Sequence, residues 1–139
     1  MKIFESYSEA DTIAIAKDFA KGLNPGDIVA FDGELGAGKT AFTKGVALGL
    51  GIDDDVTSPT FTIVNQYDGD LTLYHFDVYR LENVDPDNCD WMDDYFFSDG
   101  VCLIEWAEHI QDVLPAGFKT IKITKDIQKG EDYRQIVID

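Results

Sequence analysis

Ile13, Ala16, Ala20 and Leu23 recur at the spacing of one helix face, behind a short strand and with Ser8 at the N-cap position, until "GLNPG" stops the run. The pattern predicts an amphipathic helix packed on a sheet. "DIVAFDG" reads as a short apolar strand, "GELGAGKT" as a loop, and "TAFTKGVALGLG" as a second helix ended by Gly49 and Gly51. Further along, "FTIVNQY" and "LTLYHFDVYR" flank the turn signal "DGD" and predict an antiparallel hairpin. The acidic, aromatic stretch from Pro86 to Phe97 reads as helix and loop, "VCLIEW" as a buried strand, and "AEHIQDVLP" as a short helix. "KTIKITKD" and "YRQIVID" form a closing pair of strands joined near Lys129 and Gly130. No repeat, low-complexity tract or linker interrupts the series, so residues 1–139 are expected to form a single domain.

Charge narrows the choice of partners. The chain carries 11 basic and 27 acidic residues, a net charge of −16, and its two arginines are Arg80 and Arg134. Such a surface does not neutralise a nucleic-acid backbone by releasing counterions, so tight, unaided binding to DNA or RNA is not expected. Any RNA would have to be held by another protein. Cys89 and Cys102 lack zinc-ligand or CxxC spacing and read as two reduced thiols. The opening residues lack a signal-peptide core and no apolar run reaches membrane-spanning length, so the expected location is the cytoplasm.

Against this acidity, "GELGAGKT" stands out. Gly33, Gly38, Lys39 and Thr40 occupy the fixed positions of G-x-x-x-x-G-K-[ST], the phosphate-binding loop. Glycines let successive backbone N–H groups turn toward phosphate oxygens, and the following helix adds its positive N-terminus. The lysine reaches the β and γ phosphates, while the hydroxyl ligates Mg²⁺. The strand before and the helix after are the context the motif requires. The expected nucleotide contacts are Gly33, Glu34, Leu35, Gly36, Ala37, Gly38, Lys39, Thr40 and Ala41.

A bound Mg·NTP needs a second anchor, usually a carboxylate at the end of a neighbouring buried strand. In "VCLIEW" four apolar residues lead to Glu105, which reads either as that anchor or as a surface residue at a strand end. Strand alternation in "LTLYHFDVYR" puts His75, Asp77 and Tyr79 on one face and Tyr74, Phe76 and Val78 on the other. Asp77 is thereby a candidate to face the γ-phosphate, although a half-solvated strand has the same pattern, and His75 by itself reads as a structural histidine. "VTSPTF" crowds Thr57, Ser58 and Thr60 around Pro59, as a loop that closes over the γ-phosphate or as a hydroxyl-capped turn.

In this order and spacing, "GELGAGKT", "VTSPTFTIVNQY", "LYHFDVYRL" and "LIEWAE" resemble the TsaE (YjeE) ATPases, which support threonylcarbamoylation of the adenosine beside the anticodon in tRNAs reading codons that begin with A. The resemblance runs from Gly33 to Glu108. It implies an α/β P-loop NTPase fold with a mixed, partly parallel central sheet flanked by helices, ATP and Mg²⁺ as cofactors, and slow basal hydrolysis. It also implies action with TsaB and TsaD, in which TsaD attaches the threonylcarbamoyl group and the ATPase permits repeated turnover. On matching positions, Lys39, Asp77 and Glu105 are the catalytic candidates, and Thr40 and Glu105 the metal ligands. Thr60 and Trp106 would join the nucleotide site, with Arg80 a further motif position. Two departures are the missing proline in "EWAE" and the acidity of "NVDPDNCDWMDDYF". A small-molecule kinase would need an arginine-rich lid that is absent here, and neither NKxD nor DxxG occurs to indicate a GTPase. A non-catalytic ATP-dependent docking switch is the remaining alternative.

Overall fold

The computed structural model describes residues 1–33, 38–54, 56, 64–79 and 90–139. Its strands are β1 (Lys2–Ser6), β2 (Ile28–Gly33), β3 (Val64–Tyr67), β4 (Leu73–Asp77), β5 (Val101–Glu105), β6 (Lys119–Lys125) and β7 (Arg134–Ile138). The α-helices are α1 (Glu9–Lys21), α2 (Lys39–Gly49) and the single turn α3 (Asp93–Phe96). Short 3₁₀ segments cover Asp90–Met92, Ala107–Val113 and Ile127–Lys129.

Among the described residues one seven-stranded sheet runs in the order β1-β7-β6-β2-β5-β4-β3. Its centre, β6-β2-β5-β4, is parallel, and antiparallel strands finish both edges. The sheet is therefore mixed and partly parallel, as the resemblance implies. A parallel centre must be covered on both faces. Accordingly all five residues of β5 are buried. On one face α1 and α2 cover Val29, Phe31, Leu103 and Ile121, and on the other Met92, Phe96 and Ile110 cover Ile28, Phe76 and Ile104. Each such fully buried large side chain contributes roughly 1.5–3 kcal/mol relative to exposure.

Helix α1 begins where the sequence predicts. The Ser8 side chain accepts from the Asp11 N–H at 3.0 Å, and the Asp11 carboxylate accepts from the Tyr7 N–H at 3.0 Å. Just inside, the buried Thr12 hydroxyl meets Ser6 Oγ at 2.7 Å and ties α1 to β1. The apolar stripe of α1 meets α2 at an unusually close crossing. A Cβ placed on Gly45 would collide with the Ile13 carbonyl and Ala16 Cβ, and one on Gly49 would lie 2.6 Å from Ala20 Cβ. Gly49 is thus the last residue of α2 and also a point of helix contact, while Gly51, at φ +76, turns the chain away.

The hairpin of β3 and β4 forms with the expected antiparallel pairing. Its polar face differs from a half-solvated strand. β4 lies inside the sheet, so His75 is as buried as Phe76 on the opposite face. No helix among the described residues is long and apolar enough to cross a membrane.

Candidate functional site

Three parallel strands deliver their last residues to one place. Gly33 ends β2, Glu105 ends β5, and Asp77 ends β4 in register with Glu105. Ligands of open α/β sheets bind beyond such carboxyl ends. There a cleft of about 690 Å³ opens between the start of α2 and the first turn of α1. Gly33, Gly38, Lys39, Thr40, Ala41, Asp77, Glu105 and Trp106 line it, so the described residues of the expected site converge. Glu34, Leu35, Gly36, Ala37, Thr57, Ser58, Thr60 and Arg80 lie outside the described residues.

The start of α2 has the form of an anion cradle. Gly38 occupies the N-cap position in the left-handed region, φ +98, which a side chain rarely adopts. The first α-helical bond runs from the Phe42 N–H to the Gly38 carbonyl at 3.0 Å, so the amides of Lys39, Thr40 and Ala41, three residues that line the cleft, precede the helical ladder. Opposite them, a Cβ on Gly33 would press on the Lys39 stem at 3.2 Å; its absence lets the lysine cross over the end of β2.

Lys39 Nζ lies 3.5 Å from Glu105 Oε1. Glu105 is 6 % exposed, which excludes a casual surface residue at the strand end. Its second oxygen, Oε2, accepts from His75 Nε2 at 3.0 Å, across the pair of strands β4 and β5. Burial pushes the Glu105 carboxyl upward, but the His75 hydrogen bond and the charges of His75 and Lys39 outweigh it and leave the group below the ordinary carboxylate value. Glu105 is therefore held as an anion with both oxygens aimed at cationic or donor groups.

Beyond Glu105 the chain turns sharply. Trp106 has φ +63, a conformation that costs a non-glycine residue about 1 kcal/mol and clusters at functional sites. The turn places its ring 5.5 Å from Lys39 Nζ, within cation–π range, and 4.8 Å from the ring of Tyr79. His109 Nδ1–H donates to the Tyr79 carbonyl at 3.0 Å and fastens this aromatic wall. On the floor, the Asp77 carboxylate accepts from the Tyr79 N–H at 3.1 Å.

The other half of the cleft has no local signature in the sequence. Ser8, Glu9 and Thr12 from α1, with Asp132 and Arg134 beside the start of β7, line it. They meet because β1 and β7 pair at the sheet edge, a contact between the two ends of the chain. Arg134 Nη1 donates to the carbonyls of Glu131 at 2.9 Å and Tyr133 at 2.7 Å. His75 likewise escaped the sequence reading as a site residue; its place in "HFD", two residues before Asp77 on one strand face, was the available signal.

The donor set suits a divalent cation of hard character: a Thr40 hydroxyl and the Glu105 and Asp77 carboxylates around the same cleft end. Magnesium needs one or two protein carboxylates and completes its octahedron with phosphate and water oxygens. No three His, Cys, Asp or Glu side chains converge as a metal cage among the described residues.

Comparison with known proteins agrees with this arrangement of motifs. A family model described as threonylcarbamoyl adenosine biosynthesis protein TsaE matches residues 6–136. The Bacillus subtilis tRNA threonylcarbamoyladenosine biosynthesis protein TsaE is 50% identical over 127 residues, covering 91% of this chain and 77% of its own length. The Treponema pallidum protein of the same name is 43% identical over 118 residues, covering 85% of this chain and 87% of its own. A crystal structure of Bacillus subtilis YdiB superposes with a TM-score of 0.79 at 41% identity, over 99% of this chain and 83% of that one. Matched by the family model over nearly its whole length and by a curated member at half identity, the chain belongs to the TsaE family.

Proposed function

We propose that the chain is a Mg²⁺-dependent P-loop ATPase of the cytoplasm that supports threonylcarbamoylation of tRNA together with TsaB and TsaD, its hydrolysis slow alone and accelerated within the complex. The observation that carries this reading is the contact of Lys39 with Glu105, which joins the first residue of α2 to the last residue of β5 at the head of the cleft. In that reading the triphosphate lies along the start of α2, and the nucleoside extends toward Ser8, Thr12 and Arg134.

Each residue then has one task. The amides of Lys39, Thr40 and Ala41 orient phosphate oxygens, and Lys39 exchanges its contact with Glu105 for the terminal phosphates. Thr40 and Glu105 would hold the metal, which when bound would supply positive charge against the charge that develops in phosphoryl transfer. Asp77, which lines the same cleft, would orient the attacking water, while Trp106, backed by Tyr79, would wall off one side of Lys39. Among the described residues Lys39 and Arg134 are the cations lining the cleft, with Arg134 Nη1 bonded to two backbone carbonyls, so extra positive charge for the transition state would come with a partner or a rearrangement. That supports slow turnover by the isolated chain. With a net charge of −16, contact with tRNA is expected through TsaB and TsaD alone.

Reconstitution with TsaB, TsaD, tRNA and ATP tests the proposal, with phosphate release and modified nucleoside followed as each component is omitted. Lys39→Met should weaken Mg·ATP binding by about 100-fold, near 2.7 kcal/mol, and abolish the stimulated hydrolysis. Phosphate release indifferent to the partners, or modification through many rounds without this chain, would refute it. A Glu105→Gln variant that binds ATP without hydrolysing it and still sustains repeated modification would establish the docking switch instead.

A further inference from the structure

We propose that His75 is a positioning residue whose Nε2–H holds the Glu105 carboxylate in place when Lys39 leaves it for phosphate. The inference rests on the proposed ATPase reading and adds to it a residue with no contact to the nucleotide.

Glu105 has two holds of different character. Oε1 faces Lys39 at 3.5 Å, and Oε2 takes the hydrogen bond from His75 at 3.0 Å. The lysine ammonium ends a flexible four-carbon stem that lines the cleft, and the stem's torsions let it swing toward a phosphate. The imidazole cannot follow. It is 2 % exposed, sits on an interior strand opposite Leu103 of β5 and Asn65 of β3, and has only two side-chain torsions. When the lysine moves, Oε1 becomes available to a cation, while Oε2 stays tied to the sheet. The carboxylate therefore keeps its aim during the exchange rather than following Lys39 or rotating into the cleft.

The burial itself argues for this role. A leucine would fill an interior strand position on the face of Leu73 and Leu103 without any polar atom to satisfy. Instead the site keeps an imidazole whose Nδ1 has no hydrogen-bond partner among the described residues. Among the described residues its polar contact is the Glu105 carboxylate. Partners that orient a metal-binding carboxylate characteristically change metal affinity or activity by 10- to 100-fold when removed.

The experiment compares His75→Leu, which fills the space without a donor, with His75→Gln, whose amide N–H stands near the position of Nε2. Calorimetry of ATP with and without Mg²⁺, together with steady-state phosphate release, is measured for both variants and the parent. His75→Leu should bind metal-free ATP as the parent does, yet lose about 10- to 100-fold of the Mg²⁺ enhancement and of kcat, and His75→Gln should recover most of both. Parental Mg²⁺ enhancement in His75→Leu, or equal losses in the two variants, would overturn the proposal. A ligand-free double-mutant cycle of His75→Leu with Glu105→Ala reads the same hold without nucleotide. Non-additive shifts in Tm support it and additive ones refute it, whereas a parent that takes up no Mg·ATP refutes the ATPase reading instead.

Discussion

The crossing of α1 and α2 sets the shape of the cleft, because one helix carries Ser8, Glu9 and Thr12 and the other begins with Lys39 and Thr40. Gly45→Ala tests how tightly that crossing is specified. The added methyl would strike the Ile13 carbonyl and lie 2.5 Å from Ala16 Cβ. The obstacle includes backbone, so no side-chain rotation relieves it and the helices must part by roughly 1 Å to restore ordinary contact. Overpacking of this kind costs about 1–3 kcal/mol, and alanine recovers about 1 kcal/mol of helix propensity over glycine. A backbone obstacle this close puts the position in the upper part of that range, about 2–3 kcal/mol, so the net expectation is destabilisation by about 1–2 kcal/mol, a fall in Tm of about 3–8 °C for a domain of this size. Thermal unfolding and urea titration followed by circular dichroism measure it, with an unchanged m-value marking a true stability effect. Gly22→Ala is the control, since its methyl meets nothing nearer than the Phe19 carbonyl at 3.6 Å and should leave Tm almost unaltered. Because parted helices widen the cleft, ATP affinity should fall along with Tm in Gly45→Ala. A Gly45→Ala protein as stable as the parent would refute the argument that backbone contact limits the crossing.

Other consequences follow from the site and the core. Glu105 has a folded-state pKa below its ordinary value, so it contributes stability above the unfolded value of 4.5, lost as pH falls through the lower folded one. Urea midpoints measured from pH 7 to about pH 3 should fall less steeply in Glu105→Gln than in the parent over that acidic limb. At Trp106, where φ is +63, glycine should be more stable than alanine by about 1 kcal/mol, the reverse of their usual order, as read by paired denaturation curves of the two variants. Burial pushes the Cys102 thiol up to about 12, so in a Cys89→Ser background a thiol reagent at about pH 8 should label the urea-unfolded chain and leave the native one unmodified.

Much of the architecture was legible in the chain because it depends on short-range rules. The period of α1, the Ser8 cap, the apolar run of β5, and the alternating strands around "DGD" each state a local preference, and the elements formed where those preferences agree. The phosphate-loop residues were legible for the same reason, since an anion cradle is built from consecutive amides and a helix start. The burial of His75 was not. Alternation placed it on a polar face, and whether such a face meets water depends on the position of β4 inside the sheet, which no run of ten residues states.

By itself the sequence determined that a glycine loop lies between a strand and a helix, with Lys39 at its end and acids closing two later strands. Tertiary structure alone decided that Glu105 is buried between Lys39 and His75, and that the first turn of α1 and the start of β7 complete the cleft. The physical reason is range. Local sequence sets backbone torsions and which side of an element is apolar, whereas the charge environment of a carboxylate depends on strands paired across the sheet and helices packed over it.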